Sequence, residues 1–281
     1  MIAFSRTSLL EATALLTGAA LACAGCQGRE KPDDTKPVVV SVEAHPAVAV
    51  PGQAVTLIWR FALADGWHLY WPGRNDTGYP PQIDLELPAG WLAGGLQWPV
   101  PERYVTAGDI LDHVYHEELV LIQRVGIGSE AVAGDQAVLR AKLEWLACKD
   151  ACVPGGDETV LEIPVAAKTE SRRHERLDRL RAALPEVLPS GLLQTGWTGQ
   201  TFTIQAADAR RLTFFPTDDC GLLADLLRDG QGPGLALEFR PKGDTVGPVR
   251  GLLTVESGSG KTRTFRIDYP AAPLGTASTG G

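Results

Sequence analysis

The chain has 281 residues, enough for two modest domains, and 44% of them are hydrophobic, which allows a sizeable core and excludes wholesale disorder. Its net charge of −8, with no basic stripe, excludes a nucleic-acid ligand, because phosphate binding needs clustered Lys and Arg. Acidity of this kind mostly serves solubility.

Residues 1–26 read as a targeting segment, not as part of the fold. Arg6 supplies a short positive start, and an apolar run extends from Ala12 to about Ala22. That run is shorter than the roughly 20 apolar residues a bilayer span needs. Small residues then lead into two cysteines, Leu21-Ala22-Cys23-Ala24-Gly25-Cys26. Ala24-Gly25-Cys26 resembles the end of a bacterial lipoprotein signal, in which the Cys becomes the lipidated first residue. Cys23, after Ala20-Leu21-Ala22, is a rival site, and plain secretion with cleavage near Ala22 is the other reading. The expected location is therefore the bacterial periplasm, with membrane contact through the lipid anchor only. Residues 27–37 are polar and charged and are expected to form a flexible tether.

From residue 38 the pattern becomes β, and the 31 Gly and 20 Pro favour short strands joined by turns. Strands are expected at Val38–Val42, Ala54–Phe61, Leu119–Val125, Val138–Ala147 and Thr159–Val165. The fourth alternates well, with Leu139, Ala141, Leu143, Trp145 and Ala147 on one face and Arg140, Lys142 and Glu144 on the other. Strands at these spacings suggest a β-sandwich over 38–167. Leu177, Leu180 and Leu184 then recur at helical spacing among charged residues, so a short amphipathic helix is expected within a 168–190 connector, stopped by Pro185. A second, smaller β-rich domain follows over 191–270, with strands near Thr201–Ile204, Arg211–Phe215, Leu235–Phe239, Val249–Val255 and Thr264–Tyr269. The Gly-rich tail, 271–281, is expected to be disordered.

Chemistry points to Cys148 and Cys152, just past the alternating strand in Trp145-Leu146-Ala147-Cys148-Lys149-Asp150-Ala151-Cys152-Val153-Pro154. Two Cys four positions apart can be bridged if the chain turns between them. Such a bridge closes a very small loop and stabilises less than a long-range one on the chain-entropy model. The spacing is not the Cys-x-x-Cys of thioredoxins. No second Cys or His pair completes a zinc site, so neither a metal nor a cofactor is expected. Spacing alone leaves two readings open, an exchanging pair and an inert disulfide of an exported domain.

Gly66-Trp67-His68-Leu69-Tyr70-Trp71, Asn75-Asp76-Thr77-Gly78-Tyr79-Pro80, Leu96-Gln97-Trp98-Pro99-Val100-Pro101-Glu102-Arg103, the segment around Tyr115 and the two-cysteine segment occur in an order and spacing that resemble the N-terminal periplasmic domain of the thiol:disulfide interchange protein DsbD, particularly its ScsB-type relatives. Leu212–Pro216 and Gly251–Val255 resemble the second β-domain of the longer relatives. The resemblance implies an immunoglobulin-like sandwich in which Cys148 and Cys152 exchange with other thiols. It implies electrons arriving from a membrane thiol reductase and leaving to periplasmic thiol proteins. The chain carries neither a transmembrane electron-transfer region nor a thioredoxin-like domain, so the reductase is expected to be a separate protein. The family covers its thiols with a cap loop, and the matching segment is Asp112-His113-Val114-Tyr115-His116-Glu117. Asp112 and Tyr115 match polar cap residues, and Val114 stands where the family usually has Phe. Cys152 is expected to meet the partner.

Other candidates carry less. His113 and His116 can tune a thiol, or simply sit on a loop. A soft-metal role has no Met to support it beyond Met1. Trp67, Trp71 and Trp98 fit core or cover positions better than a partner surface. Lys149 can stabilise a thiolate; Asp150 and Asp112 oppose that, or Asp112 helps to move a proton. Cys220 is left without a partner by count and reads as a buried thiol of the second domain. The competing overall reading is a non-catalytic scaffold lipoprotein with a structural disulfide.

Overall fold

The structure is a computed structural model that describes residues 31–169, 174–273 and 278–280. The proposed signal, with Cys23 and Cys26, lies outside the described residues.

Ten strands build the first sandwich: β1 (Val38–His45), β2 (Ala54–Leu63), β3 (His68–Tyr70), β4 (Gln82–Glu86), β5 (Leu92–Gln97), β6 (Glu102–Thr106), β7 (Ile110–His116), β8 (Glu118–Gly126), β9 (Gln136–Cys148) and β10 (Cys152–Pro164). One sheet has the order β1-β2-β8-β5; the other has β10-β9-β3-β7-β6, with β4 also paired to β9. The inward faces meet in one core that includes Leu57, Trp59, Phe61, Leu69, Leu119, Leu121, Leu143 and Trp145. The alternation of β9 is as expected, with Leu139, Ala141, Leu143, Trp145 and Ala147 buried between exposed polar residues. Glu117 alone links β7 in one sheet to β8 in the other, and its φ of 61° lets a single residue turn the corner.

Two local expectations change. The segment from Asp112 to His116 is a strand, not a loop, paired to β6 on one side and β3 on the other. Its polar residues resemble a loop, but a neighbouring turn pairs with the Asp112 carboxylate and with the N–H and Nδ1 of His113. Strand β10 begins at Cys152, seven residues before Thr159, because pairing with β9 runs unbroken from Cys152↔Cys148 to Pro164↔Gln136. Pro154-Gly155-Gly156 resembles a breaker, yet Gly155 is what lets the strand lie on Trp145: a Cβ there would stand 2.4 Å from the indole Nε1.

Helix α1 (Glu175–Ala182) is shorter than its Leu spacing suggests. The His174 imidazole caps it by accepting from the Leu177 N–H at 3.1 Å. Leu177 packs with Ile58 and Ile122, so the helix lies on the outer face of the β2–β8 pair.

The second domain comprises β11 (Glu186–Val187), β12 (Gln194–Thr198), β13 (Thr201–Gln205), β14 (Ala209–Pro216), β15 (Gly230–Gln231), β16 (Gly234–Glu238), β17 (Thr245–Val246), β18 (Val249–Ser257), β19 (Thr262–Tyr269), β20 (Ala272–Pro273) and β21 (Ser278–Gly280). Sheets of order β11-β19-β18-β14-β15 and β16-β13-β12-β21 enclose a core containing Phe202, Ile204, Phe239 and Leu253. Within the tail, β20 pairs with β17 and β21 with β12. Phe215 and Leu252 of this domain reach into the first core.

Candidate active site at the tip of the β9–β10 hairpin

Ala147 is the last inward residue of β9, so Cys148 turns to the outer face of its sheet. Cys152 is its register partner, and Lys149-Asp150-Ala151 make the turn between them. The two are joined in a disulfide with S–S 2.00 Å and Cα–Cα 4.1 Å. The ends of the bridge differ in access: Cys148 is 3% exposed, whereas Cys152 is exposed.

Register extends the site across four strands. Cys152 faces Cys148, Cys148 faces His68 on β3, and His68 faces His116 on β7. Residues opposite one another in a ladder project to the same side, so these four form one row on the outer face. Tyr70, Val114 and Cys148 pack as a small cluster there, flanked by Tyr104 and Leu146.

Tyr70 is the side chain that meets the sulfur. Its hydroxyl lies 3.9 Å from Cys152 Sγ, 3.1 Å from Thr77 Oγ1 and 3.4 Å from His68 Nε2. Asp112 anchors the far end. Its Oδ1 accepts from the N–H groups of Asp76 and Thr77 at 2.9 and 3.0 Å, and its Oδ2 accepts from the Thr77 hydroxyl at 2.6 Å. Thr77 has one hydroxyl proton, and Asp112 takes it, so Tyr70 donates to Thr77 and turns a lone pair toward Cys152. Gly78 packs directly on the Tyr70 ring; a Cβ there would stand 2.1 Å from Cζ. Burial pushes the Tyr70 phenol above its ordinary value and holds His68 below its own, with the His116 ring acting in the same direction on His68. Both are therefore neutral near pH 7.

Strand alternation divides the expected cap residues. Asp112 and Val114 face the disulfide side, and Val114 is fully buried there. Tyr115 faces the inter-sheet core instead, with its hydroxyl donating to the Pro99 carbonyl at 2.8 Å and its ring stacked on Trp98. His113 lies on that same side, between Trp71 and Phe215, and its Nδ1 donates to the Arg74 carbonyl at 2.7 Å. Burial lowers its pKa to about 4. His116 is partly exposed beside Glu102, 3.4 Å away.

Lys149, in the turn between the cysteines, donates to Asp34 Oδ1 at 3.1 Å, which also accepts from Trp67 Nε1 at 2.8 Å. A residue of the expected tether thus rests on the disulfide turn. Trp67 and Trp71 are buried, and Cys220 is a buried free thiol, 3.5 Å from the Pro248 carbonyl. Among the described residues, no group of three or more His, Cys, Asp or Glu could hold a metal ion, and no helix is long and apolar enough to cross a membrane.

Tyr70 and Thr77 lay within segments that carried the family resemblance, but nothing local marked them as site residues. The alternation of His68 and Tyr70 about Leu69 is the only cue that both face one side of a strand.

Residues 36–164 match the family model described as thiol:disulfide interchange protein DsbD, N-terminal. The N-terminal periplasmic domain of ScsB from Proteus mirabilis shares the fold across both sandwiches: TM-score 0.59, 18% identity, 87% of this chain and 98% of that one covered. The Neisseria meningitidis DsbD N-terminal domain in its reduced form aligns with TM-score 0.28 and 20% identity over 47% of this chain and 88% of that one. No curated protein matches the sequence.

Proposed function

Because residues 36–164 are a DsbD-like N-terminal domain, we propose that the chain is a periplasmic thiol:disulfide exchange protein that passes electrons through the Cys148–Cys152 pair. The observation that carries this reading is the asymmetry of the bridge: one sulfur-bearing residue is exposed at a hairpin tip, and its partner is buried behind it against Tyr70 and Val114. In the reduced protein the Cys152 thiolate attacks a disulfide of a partner protein and forms a mixed disulfide, expelling one partner sulfur as a thiolate. Cys148 then attacks Cys152 Sγ, closes the intramolecular bridge and releases the second partner thiol. Two electrons and two protons pass to the partner, and the pair is oxidised.

Recharging runs the same steps in reverse against the dithiol of a membrane thiol reductase, a separate protein in this proposal. The recipients are other periplasmic thiol proteins. A lipid anchor on Cys26, or on Cys23, would keep the domain close to that reductase. Asp112 and Val114 serve in holding the cover beside the disulfide, and Tyr115 serves by packing β7 onto the core.

Trapping tests the proposal. Cys148→Ala leaves Cys152 able to attack but unable to be resolved, so cell-envelope extracts should yield mixed disulfides on Cys152. Cys152→Ala should yield few or none. Equal yields from the two variants, or none from either, would remove support for the assigned order.

A further inference from the structure

The turn over Tyr70 is tied to the second sandwich. Arg74 donates from Nη2 to the Cys220 carbonyl at 2.9 Å and from Nη1 to the Gly221 carbonyl at 3.2 Å. Its backbone N–H donates to the Pro216 carbonyl at 2.9 Å, and its own carbonyl accepts from His113 Nδ1. The next residues turn back to β7: Asn75 Oδ1 accepts from the His113 N–H at 2.7 Å, and the N–H groups of Asp76 and Thr77 reach Asp112. A second tie runs from Arg103 on β6, the register partner of His113, to Asp229 and to the Leu226 carbonyl at 2.8 Å. Contacts from the second sandwich thus converge on the turn that carries Thr77 and Gly78 and on the strand pair that carries Asp112 and Val114.

We propose that the second sandwich is a clamp on the disulfide's cover, with Arg74 as the positioning residue. By fixing the turn around 74–78 it holds Tyr70 against the Cys148–Cys152 bridge and sets how readily an attacking thiol reaches it. The acceptors are themselves held, since the Cys220 N–H donates to Thr217 and the Gly221 N–H to Pro248. A guanidinium meets two such fixed carbonyls with a rigid fork of donors, whereas a lysine ammonium is a single flexible point. The biological meaning of the clamp rests on the exchange reading above; the test below does not.

The test uses the full chain, oxidised, with dithiothreitol as reductant. One dithiothreitol thiolate attacks the protein disulfide to give a mixed disulfide. Its second thiol closes the dithiothreitol ring, releasing Cys148 and Cys152 as thiols. Reduction of Arg74→Ala should run about tenfold faster than the parent, the factor expected when a charge-assisted hydrogen bond holding a cover is lost. Arg74→Lys should fall between them. Arg263→Gln, which breaks a surface pair with Glu186 elsewhere in the second sandwich, should match the parent. Asp229→Asn, which loosens the joint from its other side, should also accelerate and serves if Arg74→Ala does not fold. The acceleration should persist unchanged in low urea, as local opening does.

The clamp is overturned if Arg74→Ala and Asp229→Asn react at the parent rate. It is equally overturned if all three sites accelerate only in proportion to lost global stability. The exchange reading stands or falls separately, on the parent's reduction potential, and that result leaves the rate comparison intact.

Discussion

The Tyr70 hydroxyl stands 3.9 Å from Cys152 Sγ, at the end of a hydrogen-bonded run that begins at the Asp112 carboxylate and passes through Thr77. Every proton in that run points toward Asp112, so Tyr70 offers Cys152 an acceptor. That arrangement favours the neutral thiol of the reduced protein over the thiolate. Tyr70→Phe should therefore lower the pH at which Cys152 becomes a thiolate and speed its alkylation near pH 7 by about two- to tenfold, the worth of one hydrogen bond. A pH profile of the alkylation rate checks this. A profile displaced to higher pH would mean that Tyr70 donates to the sulfur instead.

Burial separates the two thiols. Cys148 is 3% exposed and packed against Tyr70 and Val114, while Cys152 is exposed. In the reduced chain, iodoacetamide should modify Cys152 at least about tenfold faster than Cys148, as reactivity follows access and thiolate fraction. Peptide mapping by mass spectrometry reads the ratio directly, with Cys220 as a buried internal reference.

Asp112 is buried and accepts three hydrogen bonds that no other side chain takes over. Asp112→Ala leaves the Thr77 N–H and hydroxyl without this acceptor, while the Asp76 N–H keeps the Leu111 carbonyl at 3.1 Å. The cost should be about 2 kcal/mol, taking 1–3 kcal/mol for an unsatisfied backbone group and allowing water to reach the exposed Thr77 hydroxyl. Asp112→Asn keeps one acceptor oxygen and should cost about half as much. Urea unfolding monitored by tryptophan emission gives both values.

His113 makes stability depend on pH. Its folded pKa of about 4 lies below the unfolded value near 6.5, so the unfolded chain binds more protons between those limits. The contribution of the buried neutral ring is complete above pH 6.5 and is lost as pH falls toward 4. The loss should approach about 3 kcal/mol at most. His68, also lowered by burial, acts in the same sense. In urea titrations at several pH values, His113→Gln should flatten the slope between pH 6.5 and 4 relative to the parent. An unchanged slope would show that the ring does not titrate in this way.

Much of this architecture was legible in the residue pattern, and the exceptions have physical causes. The alternation in Leu139–Ala147 put Cys148 at the end of a half-buried strand, and the Leu spacing around Leu177 identified the helix. Strand β7 was hidden because Asp112 and His113 are poor strand formers. They are tolerated there because Asp76, Thr77, Asn75 and Arg74, some 35 to 39 positions earlier, pair with the Asp112 carboxylate and with the N–H and Nδ1 of His113. Tyr115 carried the right identity for a cap, yet the two-residue period of β7 turns it into the core. Tyr70 meets Cys152 across 82 positions, a juxtaposition that only the sheet order creates.

The reduction potential of the Cys148–Cys152 pair is the most direct test of the whole account. Equilibrating the purified chain in thiol–disulfide buffers and counting free thiols should give a value above about −300 mV, within reach of cellular thiol donors. A value well below that would make the bridge a structural staple, and the chain a β-sandwich scaffold that exchanges no electrons.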